Sequence, residues 1–126
     1  MDNDAHSCVL CKAIGLQNES FVAHWEPFPV GIGHMKIIPR RHDAEFYAFT
    51  GKEKEDFFEL FERIKHYLDT SLGKNKPDGY NVGINIGEAA GQTIKHLHIH
   101  VIPRYTGDVE NPRGGVRNLK PAKVSW

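Results

Sequence analysis

The sequence predicts a single α+β domain with a mostly antiparallel sheet of about five strands, one long helix and one short helix. Strand-like apolar runs lie on both sides of one long amphipathic segment, and Pro and Gly turns separate these runs. No linker, repeat or low-complexity tract divides the chain. Because 126 residues is a common size for one domain, we expect residues 1–126 to share one core.

Two strands are predicted in the first half of the chain, at residues 21–26 and 34–38. Both are short runs rich in β-branched or aromatic residues, and a segment containing two prolines and two glycines separates them. Together they form the first part of the sheet.

The long helix is predicted between residues 50 and 73. Its apolar residues recur at three- and four-residue steps, as one buried helical face requires. Thr50 and Glu53 match a capping box at its start, and Gly73 suits the left-handed conformation that ends a helix. The predicted buried face consists of Phe57, Leu60, Phe61, Ile64, Leu68 and Leu72.

Two further strands are predicted after the helix, at residues 80–86 and 95–102. In the first of them Val82, Ile84 and Ile86 alternate with small or polar residues, which predicts one buried and one open face. From about residue 105 the chain is rich in Gly and Pro, so we expect a loop-like C-terminal tail.

Composition excludes several classes of function. The 16 basic and 16 acidic residues give a formal net charge of zero, which argues against a nucleic-acid partner. The sequence shows neither a signal peptide nor a membrane span, so we expect a cytoplasmic protein without a membrane partner. In that compartment Cys8 and Cys11 should be reduced, which leaves a metal or a redox role for this CxxC pair.

Three histidines alternate with aliphatic residues in the segment HLHIHVI, residues 96–102. In a strand, His96, His98 and His100 would share one face. This pattern fits a half-exposed strand, a His-x-His metal site, or a site for an anion. The preceding loop favours the anion, because its glycines expose backbone N–H groups and it ends in the polar donors Gln92 and Thr93.

The segment HLHIHVI resembles the His-φ-His-φ-His-φ-φ motif of the histidine triad (HIT) superfamily of nucleotide hydrolases and transferases, where φ is apolar. The flanking residues GQTIK and PR, and the earlier residues Gly33-His34 followed by IIP, are also similar to that superfamily. The resemblance covers residues 21–104 and implies a HIT-like fold.

The resemblance implies a two-step reaction in which His98 attacks the α-phosphorus of a nucleotide and water then hydrolyses the nucleotidyl-histidine. A neutral imidazole is a competent nucleophile near pH 7, which agrees with this role. Glu26 falls at the position that binds the ribose hydroxyls in the family. The remaining residues implied at the phosphate are His100, Gln92, Thr93 and His34.

Several bacterial members of the family bind structural zinc, and the resemblance places its ligands at Cys8, Cys11, His42 and His96. Two thiolates and two imidazoles make the closed tetrahedral set that structural zinc prefers. A thioredoxin-like role for the CxxC pair lacks the expected βαβ context. No catalytic metal is expected.

The tail contains Arg113 and Arg117 among glycines, and is either a solvated loop or a contact for polyphosphate. Similar tails occur in bacterial dinucleoside polyphosphate hydrolases, so diadenosine polyphosphate is the favoured substrate. The alternatives are a phosphoramidate hydrolase of the same fold, a noncatalytic nucleotide-binding or sensor protein, and a metal-dependent enzyme. The resemblance also implies a homodimer.

Overall fold

The structure is a computed structural model that describes residues 16–120. One antiparallel sheet packs against one long helix, which confirms the predicted α+β class. The elements in chain order are β1 (Phe21–Trp25), β2 (Met35–Pro39), α1 (Gly51–Ser71), β3 (Gly79–Ile84) and β4 (Ile99–Arg104). Short 3-10 turns occur at Phe46–Ala48, Gly73–Asn75, Glu88–Ala90 and Gly115–Arg117.

The strand order in the sheet is β1-β2-β4-β3, and every neighbouring pair is antiparallel. The predicted count of about five strands was too high for residues 16–120, which contain four. In the described residues before β1, the β-pairing consists of an isolated bridge between Gln17 and Val22. Within the same residues α1 is the one α-helix, and the predicted second, short helix is absent there.

The strand boundaries differ from the predicted ones by at most four residues, and the start of β1 at Phe21 agrees. The largest shift is in β4, which begins at Ile99 rather than at residue 95. Ile99 is the first residue of β4, and it pairs with both neighbouring strands, with Ile37 of β2 and with Ile84 of β3. His96 and His98 therefore lie in the segment that leads into β4, and only His100 lies in the strand.

The helix α1 begins and ends as its sequence predicts. The Glu53 N–H donates to the Thr50 hydroxyl over 3.1 Å, and the Thr50 N–H donates to the Glu53 carboxylate over 2.9 Å, which completes the capping box. Gly73, directly after the C-cap residue, has a φ of 58°. The buried stripe faces the sheet and comprises Phe57, Leu60, Ile64 and Leu68.

The core lies between this stripe and one face of the sheet. Ala23, Ile37, Ile99 and Ile84 follow one another across the four strands, and the first three are fully buried or nearly so. Phe21 extends the core at one end by edge-to-face contacts with two other phenylalanines, Phe49 and Phe57. Because side chains alternate along a strand, the next residues in each strand point to the opposite face.

Candidate active site

Polar side chains occupy the face of the sheet opposite α1. His24, Lys36, His100 and Gly83 follow one another across the four strands in register. A Cβ at Gly83 would meet no heavy atom within 4 Å, so the face is open beside His100. The cluster is completed by a side chain that directly follows β1, Glu26.

Gly33 and His34 lead into β2, and steric constraints explain why residue 33 is a glycine. Gly33 has a φ of 85°, in the region that L side chains rarely adopt. A Cβ there would also lie 3.0 Å from both Leu72 Cδ1 and Pro103 Cγ. Only glycine therefore allows this close approach, which fixes the backbone that presents His34.

The hydrogen bonds of His34 and His100 define which ring nitrogens carry protons. The Val30 N–H donates to His34 Nδ1 over 3.2 Å, so the proton of neutral His34 is on Nε2. His34 Nε2 lies 2.9 Å from His100 Nδ1 and donates to it. The proton of His100 is then on Nε2, which makes that atom a hydrogen-bond donor.

This chain of hydrogen bonds requires both rings to be neutral. Burial, with smaller contributions from the neighbouring His98 and His34, lowers the pKa of His100 to about 4. Burial also lowers the pKa of His34, although the nearby carboxylate of Glu26 partly opposes the shift. Both imidazoles are therefore neutral near pH 7.

His98 lies half-buried next to this pair, and its ring packs edge-to-face on the ring of His100 with centroids 5.2 Å apart. His98 Nδ1 is 3.0 Å from the carbonyl oxygen of His96. Because a carbonyl only accepts, Nδ1 carries the proton and donates it. The lone pair of neutral His98 is then on Nε2, the form in which an imidazole can act as a nucleophile.

Glu26 is paired with a buried lysine. Lys36 Nζ lies 3.2 Å from Glu26 Oε2, and the side chains are 8% and 13% exposed. Burial raises the pKa of Glu26, but the hydrogen bond and the charge of Lys36 outweigh it and the net pKa is lowered. Ligand atoms of Glu26, His34 and His100 lie within 4.8 Å of one another, which is close enough for a metal ion. The ammonium of Lys36 already supplies a positive charge at that cluster.

The glycine-bearing loop before His96 is held together by Gln92. The Gly87 N–H donates to Gln92 Oε1 over 2.8 Å, and Gln92 Nε2 donates to the carbonyls of Ile94 and Lys95, each over 3.0 Å. Both amide hydrogens are therefore used within the loop. A direct contact between Gln92 and phosphate, as the resemblance implies, requires one of these bonds to break. Thr93 is exposed on the same loop.

The rings of His42 and His96 are in contact, with centroids 5.1 Å apart. His96 is buried, and its Nε2 donates to the carbonyl oxygen of Pro39 over 2.6 Å. The lone pair of neutral His96 is therefore on Nδ1, as a metal ligand requires. The other two predicted ligands, Cys8 and Cys11, lie outside the described residues.

Comparison with known proteins identifies the family of this chain. The model of one protein family, the HIT domain, matches residues 11–107. The chain belongs to the HIT family. A HIT-like protein of Methanocaldococcus jannaschii, MJ0866, is 32% identical over 121 residues, which span 89% of this chain and 91% of that protein.

Two further relatives of this HIT protein carry informative names. An AP-4-A phosphorylase of Mycobacterium tuberculosis strain H37Rv is 32% identical over 82 residues, which span 64% of this chain and 40% of that protein. The crystal structure of a Zn-bound histidine triad family protein from Mycobacterium smegmatis has 30% identity and a TM-score of 0.68. That comparison covers 83% of this chain and 80% of the other.

The predicted site residue in the C-terminal tail of this HIT protein is Arg113. Arg113 is exposed, and its backbone is held within the tail by the side chains of Asn111 and Asn118. Among the described residues its guanidinium makes no hydrogen bond or ion pair. The contact of Arg113 with polyphosphate stays a prediction. In residues 16–120 of this HIT protein, no helix combines the length and apolar character needed to cross a membrane.

Sequence reasoning missed Lys36, which belongs to the polar cluster of this HIT protein. Its signal was present in the segment HMKII, where one charged residue interrupts an apolar strand at two residues from His34. That spacing places the two side chains on the same face of a strand. The partner of Lys36 depends on how β1 turns into β2, and that geometry is visible only in the structure.

Proposed function

We propose that this HIT protein cleaves an adenosine-type nucleotide at its α-phosphate through a covalent bond between phosphorus and His98 Nε2. The observation that carries the proposal is the combination of proton positions in two neighbouring imidazoles. His98 has its lone pair on Nε2, whereas His100 has a proton on Nε2. A nucleophile and a hydrogen-bond donor thus lie side by side on the open face of the sheet.

In the first step, His98 Nε2 forms a bond to the α-phosphorus while the bond from phosphorus to the bridging oxygen breaks. The leaving group departs with that electron pair. His100 Nε2–H donates to a nonbridging oxygen, where negative charge is held during the displacement. His34 keeps His100 in this donor form through their 2.9 Å hydrogen bond.

In the second step, water attacks the same phosphorus and the bond to His98 Nε2 breaks. The imidazole takes back its electron pair and becomes neutral, and the attacking water releases one proton to solvent. The products are the mononucleotide and regenerated His98. Neither proposed step is routed through a metal ion, because the nucleophile is an imidazole lone pair and the donor to the phosphate oxygen is His100 Nε2–H.

The neutral histidines favour a phosphoric anhydride over a phosphoramidate. A polyphosphate departs as a stable anion and needs no proton, whereas an amine must be protonated as it leaves. His100 has a pKa of about 4 and the pKa of His34 is also lowered, so both are poor proton donors to a leaving group at pH 7. The similarity to AP-4-A phosphorylase also supports diadenosine polyphosphate as the substrate.

The proposed nucleotide contacts extend from the phosphate to the sugar. Glu26, ionised beside Lys36, accepts hydrogen bonds from the ribose hydroxyls. The loop of Gln92 and Thr93 lines the phosphate through its glycine-bearing backbone. Arg113 reaches the distal phosphates of the substrate.

The test is turnover of diadenosine tetraphosphate by wild type and by His98→Asn, with AMP and ATP measured by chromatography. We expect His98→Asn to lose activity on the order of 10⁴-fold or more, because it removes the proposed nucleophile. His66→Asn is the matched control, because His66 is an exposed residue of α1 remote from the polar face. Equal rates for wild type and His98→Asn would contradict the mechanism.

The same assay separates the alternative functions. Turnover of adenosine phosphoramidate alone would identify a phosphoramidate hydrolase, and nucleotide binding without any turnover would identify a sensor protein. Added inorganic phosphate is an informative second acceptor, because its attack on the intermediate yields ADP instead of AMP. An appearance of ADP would therefore identify a transferase.

We also propose that Cys8, Cys11, His42 and His96 hold a structural Zn²⁺. The contact of the two histidine rings and the lone pair on His96 Nδ1 fit such a site, and a relative from M. smegmatis is Zn-bound. The ion would cross-link the N-terminal segment to the residues before β4, with no part in the reaction.

Elemental analysis after purification without chelators tests the zinc proposal. We expect about one zinc per chain in wild type, a large loss in His42→Ala, and no loss in the exposed control His66→Ala. A zinc content near zero that stays zero after zinc is added would refute it. Brief treatment with a chelator should leave the initial rate of nucleotide turnover unchanged.

A further inference from the structure

Lys36 is a buried cation with polar residues beside it on both adjacent strands. The residue is 6% exposed, although lysine is rarely buried without a specific partner. In the sheet it pairs with His24 on one side and with His100 on the other. Its ammonium does not extend to solvent but turns toward Glu26, 3.2 Å away.

The ion pair with Lys36 sets the direction of the Glu26 carboxylate. Lys36 approaches Oε2, and the Phe28 N–H donates to Oε1 over 3.4 Å. A carboxylate offers about four lone-pair sites, so these two donors leave about two for other partners. The two vicinal hydroxyls of a ribose are a ligand with a matching number of donors.

Stability alone does not account for a lysine at this position. Replacing a buried ion pair by apolar residues of similar volume is often neutral or stabilising, because desolvation of both charges offsets their attraction. The next residue of β2 on the same face, Ile38, is apolar and buried, so this face accommodates an apolar side chain beside Lys36. A charged residue here therefore points to a role for Lys36 in binding.

We propose that Lys36 is a positioning residue that orients Glu26 toward the two ribose hydroxyls and thereby makes the site select ribonucleotides. The inference rests on the proposed function, because it takes Glu26 as the ribose acceptor. Without Lys36 the carboxylate loses the partner that holds it ionised and directed. A nucleotide without ribose hydroxyls makes no such hydrogen bonds to Glu26, so its affinity should not depend on how that carboxylate is oriented.

The experiment is a binding measurement by calorimetry with AMP and with 2′,3′-dideoxy-AMP, which needs no turnover. Lys36 also attracts the phosphate of both ligands, and this common effect cancels in the ratio of the two affinities. The ratio of Kd values is therefore the readout for orientation of Glu26. The proteins are wild type, Lys36→Met, Lys36→Arg, Glu26→Gln and the double variant Glu26→Gln/Lys36→Met.

We expect wild type to bind AMP about 10-fold or more tightly than dideoxy-AMP, by analogy with the loss of paired hydrogen bonds to a charged group. Lys36→Met and Glu26→Gln should each reduce this preference to about 3-fold or less. The double variant should lose no more than either single variant, since both changes remove the same interaction. Lys36→Arg should recover part of the preference because it keeps the charge.

One result would overturn the inference: a ratio of Kd values in Lys36→Met equal to that of wild type, whether or not both ligands bind more weakly. Urea unfolding of Lys36→Met shows that it is folded before binding is measured. The outcome is distinguishable from failure of the proposed reaction. A wild type that binds AMP selectively but never forms an adduct on His98 refutes the chemistry and leaves the Lys36 role standing, whereas a wild type that binds neither ligand refutes both.

Discussion

Lowering the pH from 7 to 5 should destabilise the folded protein through His100. In the unfolded chain this imidazole binds a proton near pH 6.5, whereas burial and the neighbouring imidazoles lower its pKa to about 4 in the folded protein. Between these two values the unfolded state binds more protons. The stability present above pH 6.5 is therefore lost progressively as the pH falls toward 4.

The magnitude follows from the two pKa values. With 6.5 for the unfolded state and about 4 for the folded state, linkage gives a loss of about 2 kcal/mol between pH 7 and pH 5. Because His100 is only half-buried, solvent screening reduces this contribution, and we expect about 1 kcal/mol. His34 and His96 have lowered pKa values as well, so they add to the wild-type pH dependence with the same sign.

Urea unfolding followed by the circular dichroism of α1 measures this effect at pH 7, 6 and 5. Comparison with His100→Asn isolates the contribution of His100, since the variant has no group to protonate at this position. We expect the pH-dependent loss of stability to be about 1 kcal/mol smaller in His100→Asn than in wild type. The exposed variant His66→Asn should follow wild type. An identical slope in wild type and His100→Asn would mean that His100 is not held neutral in the fold.

Three further predictions concern the scaffold that positions the site, and each is measured by urea unfolding. Thr50→Ala should lower the free energy of unfolding by about 1 kcal/mol because it removes one half of the capping box; an unchanged midpoint would show that Glu53 alone caps α1. Leu60→Ala should cost about 2–5 kcal/mol because Leu60 is fully buried between α1 and the sheet, and a loss below about 1 kcal/mol would contradict the described core. Gly33→Ala should cost more than about 1 kcal/mol because of its positive φ and two 3.0 Å contacts. Gly31→Ala, with no heavy atom within 4 Å of the added Cβ, is the control in the same loop.

The fold was predictable where the signals are local. The capping box at Thr50, the apolar stripe of α1 and the glycine after its end are contiguous in sequence, and the structure contains all three. The start of β4 was not predictable in this way, because the alternation of histidines and aliphatic residues continues through residues 96–98. Pairing with Ile37 and Ile84 sets that boundary, and those partners are distant in the chain.

In the candidate site, too, the local sequence pattern was predictable, whereas contacts between residues distant in the chain were not. The spacing of His98 and His100 predicted two neighbouring imidazoles, and their ring centroids lie 5.2 Å apart. The position of the proton on His100 depends on His34, which is distant in the chain. The engagement of the Gln92 side chain with its own loop is a matter of loop conformation, which composition does not specify. Lys36 was missed because its partner Glu26 lies across a turn of several residues.

Rapid-quench mass spectrometry of the His98 peptide tests the central claim most directly. Wild type is mixed with diadenosine tetraphosphate for times shorter than one turnover, quenched in base to preserve a phosphorus–nitrogen bond, and digested. We predict a mass increase of one adenylyl group on the peptide at His98, which appears before AMP accumulates and is absent in His98→Asn. Steady turnover with no adduct on that peptide at any time, or an adduct carried by another residue, would contradict catalysis through His98.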